Sequence, residues 1–292
     1  MIRSRLSEAE LRDLRDQWNL QPIDTPPILY KYRNFDSKGH YLKLIQDSEL
    51  WFSSAREFND PFDSALQYQY EDNPPGIRRK WAEDFLKRDE PHLNSKEREE
   101  VIDKRLQEID KDVGYIERLQ QHNVELNYKK YGICSLTMIR DDLLMWAHYS
   151  DHHRGFCVGI DTEELLNVQI SLAKYKKQLV ELIKVIYSYT MPSVNFFDSM
   201  LSQRDNDIVT LLTTKSEHWS YERECRLTYY DHIDTPIHIG HSAIVEVIMG
   251  CKIDDKNKQD MLSLLDKKSS RTAVFQASKH KSDFALEFEK IR

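Results

Sequence analysis

Glu222 and Glu224 stand two residues apart in Trp219-Ser220-Tyr221-Glu222-Arg223-Glu224-Cys225-Arg226-Leu227. A strand places residues two apart on one face. Read as a strand, this stretch aims both carboxylates one way and Arg223 the other. Neighbouring like charges disfavour each other, so the pair needs an explanation. Three are open. The strand is an exposed edge, with Arg223 and Arg226 offsetting the charge. The acids hold a magnesium ion with Asp60 or Asp63, as carboxylates do in nucleases. Or one acid faces a developing sugar cation while the other orients a ribose hydroxyl or the nucleophile. Arg226 falls on the same face and can keep Glu224 ionised and oriented.

Other residues could serve such a centre. The planar fork of Arg33 suits a phosphate or pyrophosphate, though an ordinary surface arginine is equally open. Ser53 and Ser54 are small donors. Asn59, Asp60 and Asp63, around Pro61, fit a tight turn better than a catalytic site. Trp51, Trp146, Tyr149 and Trp219 can stack on a planar base or pack in a core. His148 and His152 have the i, i+4 spacing that presents two imidazoles to a metal. The surrounding residues read instead as a helix end and turn with a solvated histidine cluster, so no metal ligand is assigned. The glycine-rich phosphate loops, the G-x-S-x-G elbow and H-E-x-x-H are all absent.

The elements that must position these residues follow from periodicity. Residues 28–33, 50–54, 132–137, 155–161, 219–230, 243–250, 272–277 and 284–288 read as strands. Asp36 or Ser37 caps a helix carrying Tyr41, Leu42, Leu44 and Ile45. Asp141 or Asp142 caps a short helix over 143–149. Residues 162–187, 195–216 and 254–266 read as helices, with Leu179, Leu182, Ile183 and Ile186 on one face. Part of 185–189 alternates as a strand would. In 72–131, Ile102, Leu106, Ile109, Val113 and Ile116 step by 4, 3, 4 and 3, one apolar stripe. That predicts a helical hairpin packed on the body; a dimerising coiled coil, and hence a homo-oligomer, is the alternative.

Leu11, Leu14 and Trp18 after Ser7 predict an amphipathic helix over 7–19, and Pro22, Pro26 and Pro27 an extended linker. Residues 1–27 are thus set apart from a single domain over 28–292, with helical insertions at about 72–131 and 162–216. Strands without regular βαβ alternation predict an α+β fold with a central mixed or antiparallel sheet.

Bulk properties set limits. The 292 residues suffice for a self-supporting core, and the formal net charge of -7 argues against a broad basic face but not a local groove. Cys134, Cys157, Cys225 and Cys251 lack C-x-x-C spacing and read as reduced, buried thiols. The charged start has no signal-peptide pattern, and no apolar run nears the roughly 20 residues of a membrane span. A cytoplasmic location without a membrane partner is expected.

Six motifs come in a recognisable order: Leu29-Tyr30-Lys31-Tyr32-Arg33, LWFSSAREFNDPFD over 50–63, LMWAHY over 144–149, GFCVGID over 155–161, WSYERECRL over 219–227 and VIMG over 247–250. Over about residues 28–290 the chain resembles a bacterial and phage-associated family, the domain of unknown function 2971. More distantly it is similar to ADP-ribosyltransferases of the DNA-modifying toxin type. That resemblance implies transfer of ADP-ribose from NAD to a nucleic acid or protein, in a toxin or phage-defence role. It implies Glu224 as the catalytic acid and Glu222 as its helper. It places Arg33 or Lys31 at the cofactor-binding position of the first strand, Lys31 standing where the pattern has histidine. Ser53 and Ser54 fall near the second motif, and Tyr149 is an aromatic for the ligand. A metal-dependent nuclease using Asp60, Asp63, Glu222 and Glu224 is the alternative enzyme. A non-enzymatic sensor or interaction protein, docking through 72–131, is the third reading.

Overall fold

The computed structural model describes residues 25–36, 39–65, 67–112, 114–176, 180–202, 206–267 and 272–292. The helix expected over 7–19, Pro22, and the positions Ser37, Val113 and Leu179 lie outside the described residues. In chain order the elements are β1 (Ile28–Arg33), α1 (His40–Asp47), β2 (Glu49–Ser54), β3 (Gln67–Gln69), α2 (Ile77–Asp89), α3 (Ser95–Lys111), α4 (Tyr115–Lys130), β4 (Tyr131–Thr137), α5 (Leu143–Tyr149), β5 (Phe156–Asp161), α6 (Thr162–Lys176), β6 (Val180–Lys184), β7 (Ile186–Ser188), β8 (Ser193–Asn195), α7 (Phe196–Ser202), α8 (Asn206–Thr213), β9 (Thr214–Ser216), β10 (Glu224–Tyr230), β11 (Thr235–His238), β12 (Ile244–Met249), α9 (Asp255–Lys267), β13 (Ala273–Lys279) and β14 (Leu286–Lys290). Short 3-10 turns cover Ala55–Glu57 and Glu217–Glu222. The fold is α+β. Among the described residues no helix is long and apolar enough to cross a membrane.

The chain divides into two compact units. The first comprises Met1–Glu57, Lys130–Val185 and His218–Arg292, and the second Phe58–Lys129 and Ile186–Glu217. A ten-stranded mixed sheet organises the first. Its path is β11-β2-β4-β1-β5-β12-β13-β14, with β10 paired to β4 and β6. β12 and β13 run parallel, and the other pairs are antiparallel.

Strand β4 is a fork. β10 pairs along one edge of it, from Tyr131 to Thr137. The other edge is shared: β2 takes Gly132 and Ile133, and β1 takes Thr137 alone. The two strands therefore part beside Ser135. The Lys31 ammonium fills the gap by donating to the Ser135 carbonyl at 2.6 Å.

Alternation sorts the side chains of this sheet. Leu29, Cys134, Leu136, Phe156, Val158, Cys225 and Leu227 belong to the main core, with Leu44 and Ile45 of α1, Leu165 of α6 and Met261 and Leu265 of α9. Tyr30, Tyr32, Cys157 and Ile248 form a second cluster with Met145 and Trp146 of α5. Asp142 caps α5 as expected, accepting from the amides of Leu144 at 2.8 Å and Met145 at 2.9 Å. The first helix is entered differently: Gly39, at φ 69, holds the cap position, and its amide donates to the Asp36 carbonyl. All four cysteines are free thiols, three buried and Cys251 half-buried.

Three helical expectations need correction. The 72–131 stretch holds three helices, α2, α3 and α4, in place of a hairpin. A capping box stops the chain between the first two, Asn94 accepting from the Lys96 and Glu97 amides and Glu97 from the Asn94 amide. The helix predicted over 162–187 ends at Lys176, and Val180–Lys184 is instead the strand that pairs with β10. Its Leu and Ile residues fit either period, and pairing decides. Residues 195–216 split into α7, α8 and β9.

The second unit has its own cores. Ile77, Phe196 and Phe197 pack with Tyr68, Tyr70 and Trp81, and Ala82 and Leu86 of α2 pack on Ile102 of α3. Its strands form two parallel ladders, β3 with β8 and β7 with β9. Asp63 pairs with Lys215 at 3.3 Å, both buried.

In the first unit, Asp151, His152 and His153 all have left-handed φ, between 48 and 69. Gly155 closes this turn, its amide donating to the Ser150 carbonyl at 2.7 Å. A Cβ there would lie 2.1 Å from the Arg33 carbonyl oxygen, a backbone atom that cannot step aside. Gly155→Ala is therefore expected to destabilise the chain by about 2 kcal/mol or more in urea denaturation. A loss under about 0.5 kcal/mol, the surface-substitution range, would contradict this packing.

Candidate active site

Glu222 and Glu224 do not share a strand. Glu222 ends the 3-10 turn, and β10 begins at Glu224. Between them Arg223 is exposed and left-handed, at φ 42. A left-handed residue breaks strand alternation, so the one-face reading of the two acids is corrected. The junction is fixed from several sides. The Arg223 amide donates to the Ser220 carbonyl at 3.2 Å, and the Met138 amide to the Arg223 carbonyl at 3.1 Å. The Thr137 hydroxyl donates to the Glu222 carbonyl at 2.6 Å.

The two carboxylates keep different company. Glu224 accepts from Arg226 Nε at 2.8 Å and from the same guanidinium's Nη2 at 3.1 Å. This two-point contact, on the same strand face, is the one the spacing predicts. Glu224 is 3 % exposed and Arg226 not at all. Glu222, also buried, accepts from the Tyr149 hydroxyl at 2.5 Å. Tyr149 ends α5, so the Asp142 cap sets where this hydroxyl arrives.

Rings surround the Glu222 contact. His148 is exposed, and its Nδ1 lies 3.0 Å from the Tyr221 hydroxyl. Its ring centroid is 6.2 Å from Tyr149, 6.0 Å from Tyr221 and 6.5 Å from Trp219. Trp219 and Tyr221 are half-buried and 6.0 Å apart. The arrangement sets a buried carboxylate and a phenol beside an exposed imidazole and two half-buried rings.

The register separates the remaining candidates. Tyr30 pairs with Thr137, and Glu224 pairs with Thr137, so Tyr30 and Glu224 share a sheet face. Lys31 and Arg33 alternate to the opposite face, toward Cys134 and Phe156 of the main core. Burial draws the Arg33 guanidinium below its ordinary pKa. Ser53, paired with Ile133, shares the face of Glu224, and its hydroxyl donates to the Ile133 carbonyl at 3.4 Å. The Ser54 hydroxyl accepts from the Arg56 amide. Trp146 is core, its indole N–H donating to the Arg140 carbonyl, whereas Trp51 is 44 % exposed. His148 and His152 do not share a helix face, since α5 ends at Tyr149. Asp60 accepts from the Phe62 amide, as turn chemistry predicts. Among the described residues no group of three or more His, Cys, Asp or Glu is placed to hold a metal ion.

Neither Tyr221 nor Thr137 is marked as a site residue by its type or spacing in the sequence. Tyr221 is adjacent to Glu222, and a 3-10 turn would have brought it forward. Thr137 acts through a backbone contact for which a sequence carries no mark.

The family described as a protein of unknown function (DUF2971) matches residues 145–227. That segment includes Tyr149, Glu222, Glu224 and Arg226, and leaves out Lys31, Arg33, Ser53 and Ser54. Neither a curated protein nor a solved structure matches the chain.

Two outcomes are expected here. Removing one member of the buried Glu224–Arg226 pair takes two hydrogen bonds from a buried charge, so Arg226→Met alone is expected to cost about 3–5 kcal/mol. The double variant Glu224→Leu/Arg226→Met should regain much of that loss in chemical denaturation; equal losses in single and double variants would contradict the coupling. Lys31 gives a pH signature. Burial, aided by Arg33, lowers its pKa from 10.5 to about 8 against weaker opposing pulls from Cys134 and Glu224. The unfolded chain then holds more protons between those values, so this group makes stability rise with pH across that window. Below it the burial penalty is felt in full. Lys31→Met should flatten the rise in urea midpoint between pH 8 and 10.5, and an unchanged profile would overturn the assignment.

Proposed function

We propose that the chain breaks the nicotinamide–ribose bond of NAD and transfers ADP-ribose to a nucleic acid or protein acceptor. The observation that carries this reading is the Tyr149–Glu222 contact set beside the rings of His148, Trp219 and Tyr221. Nicotinamide is a flat, electron-poor ring, and a cluster of aromatic side chains suits it. When the C–N bond breaks, its electron pair leaves with nicotinamide and positive charge grows on the ribose. A carboxylate already oriented by a phenol stabilises that charge without reorganising. The acceptor supplies the new bond's electron pair and gives up its proton.

This assigns Glu222 the part facing the sugar. Glu224, engaged in two hydrogen bonds by Arg226, becomes a positioning residue that anchors the start of β10. The roles drawn from the distant resemblance are thereby exchanged. Arg33 and Lys31, on the opposite sheet face, are left without a part in pyrophosphate binding.

The test is nicotinamide release from NAD, followed chromatographically with oligonucleotide, protein and lysate acceptors. Glu222→Gln is expected to lower turnover at least about 100-fold, the scale of a lost charge-stabilising group. Tyr149→Phe should lower it about tenfold, and Arg33→Gln should leave it within about threefold. Chelator should have no effect. A wild-type chain that neither binds NAD nor releases nicotinamide with any acceptor would sink the reading.

A further inference from the structure

Away from Glu222, the first unit contains a cavity of about 440 Å³ between the loop after β12 and the β13–β14 hairpin. Lys252, Lys279 and Lys281 line it, with His153, Asp283 and Phe284. The overall charge is -7, so a local excess of lysine runs against the trend of the chain. All three lysines are exposed, and among the described residues none forms an ion pair. One carboxylate, Asp283, stands beside them, and the neighbouring His280 Nδ1 accepts from the Asp283 amide at 3.0 Å; Glu287 lies 3.4 Å from His280 Nε2.

One further feature fits a ligand. Phe284 is fully exposed, at 101 % of its reference surface, at the tip of the hairpin. It gives the cavity a flat apolar face open to solvent beside the lysines. His153 forms part of the inner wall, its ring nearly parallel to Trp146 at a centroid distance of 6.4 Å.

The walls are preformed. The Lys252 amide donates to the His153 carbonyl at 3.0 Å, and the Gly250 amide to the Gly155 carbonyl at 2.9 Å. The His280 amide donates to the Ala285 carbonyl at 3.0 Å, closing the hairpin loop. A Cβ on Gly250 would meet the His153 carbonyl at 2.2 Å, so the close approach of the two loops requires glycine there.

We propose that this cavity binds a nucleotide unit, its phosphate among Lys252, Lys279 and Lys281 and its base stacked on Phe284. The chemistry needed is one anion beside one flat ring, which a free nucleotide and a single strand both offer. The site stands independently of the NAD reading, although Leu143, which lines it, and Tyr149 are the two ends of α5, roughly 10 Å of helix apart.

The test uses fluorescence anisotropy of the full chain with a fluorescein-labelled twelve-residue oligothymidine, competed by unlabelled strand or by AMP. Lys252→Gln/Lys279→Gln/Lys281→Gln should weaken binding at least about tenfold and reduce the salt slope by about 2. Phe284→Ala should weaken it at least about fivefold with the salt slope unchanged. These residues are exposed, so the variants fold. Displacement by AMP at concentrations near those of the strand identifies a free nucleotide as occupant; displacement by strand alone identifies nucleic acid. The proposal is overturned if the wild-type chain binds neither probe at 50 mM salt. It is equally overturned if a control variant with Lys43, Lys80 and Lys256 changed to Gln loses as much affinity as the site variant.

Discussion

A guanidinium with no solvent exposure, in the middle of a sheet, must have its charge answered where it stands. Arg226 is such a group: it lies between Ser135 of β4 and Ile183 of β6, fully buried. Glu224 answers it from the same strand, two residues back, through two hydrogen bonds. The pair settles where β10 begins. Glu224 must be inside the strand to reach Arg226, so the chain before it has to change direction. It does so at Arg223, in a left-handed conformation, and Glu222 is left on the turn instead of the strand. The Tyr149 contact and the rings of Tyr221 and Trp219 follow from that placement.

The second constraint is the fork in β4. Two strands compete for one edge, and each takes an end of it. The carbonyl of Ser135 lies where they part, and a lysine ammonium answers it. Lys31 thus has a structural occupation that accounts for a cation half-buried in a sheet. Its neighbour Arg33 points to the same, opposite-facing side as the main core. The face that carries Glu224, Ser53 and Thr137 is a different one.

Much of this fold is legible in the sequence. Strands β1, β2, β4, β5 and β12 are β-branched and aromatic runs bounded by turns, and the Asp142 cap of α5 can be read directly. The Glu224–Arg226 contact was legible too, because i and i+2 on a strand must share a face. Local geometry with no compositional mark is not legible. Arg223 gives no hint of φ 42, for left-handed backbone usually announces itself by Gly or Asn. The residues of β6 satisfy helical and strand spacing alike, and only β10 as a partner selects the strand. In the candidate site, Glu222 and Tyr149 were visible as residue types. Their contact spans 73 positions and depends on α5 and the turn both being set, which no motif encodes.

The central claim is that Glu222, held by Tyr149 beside the ring cluster, faces the reacting sugar. A crystal structure with a carba analogue of NAD, which binds but cannot be cleaved, tests it most directly. The account predicts the nicotinamide ring against His148, Trp219 and Tyr221, with the anomeric carbon nearer to Glu222 than to Glu224. A dinucleotide bound instead on the Arg33 face of the sheet, or excluded from the cluster at saturating concentration, would contradict it.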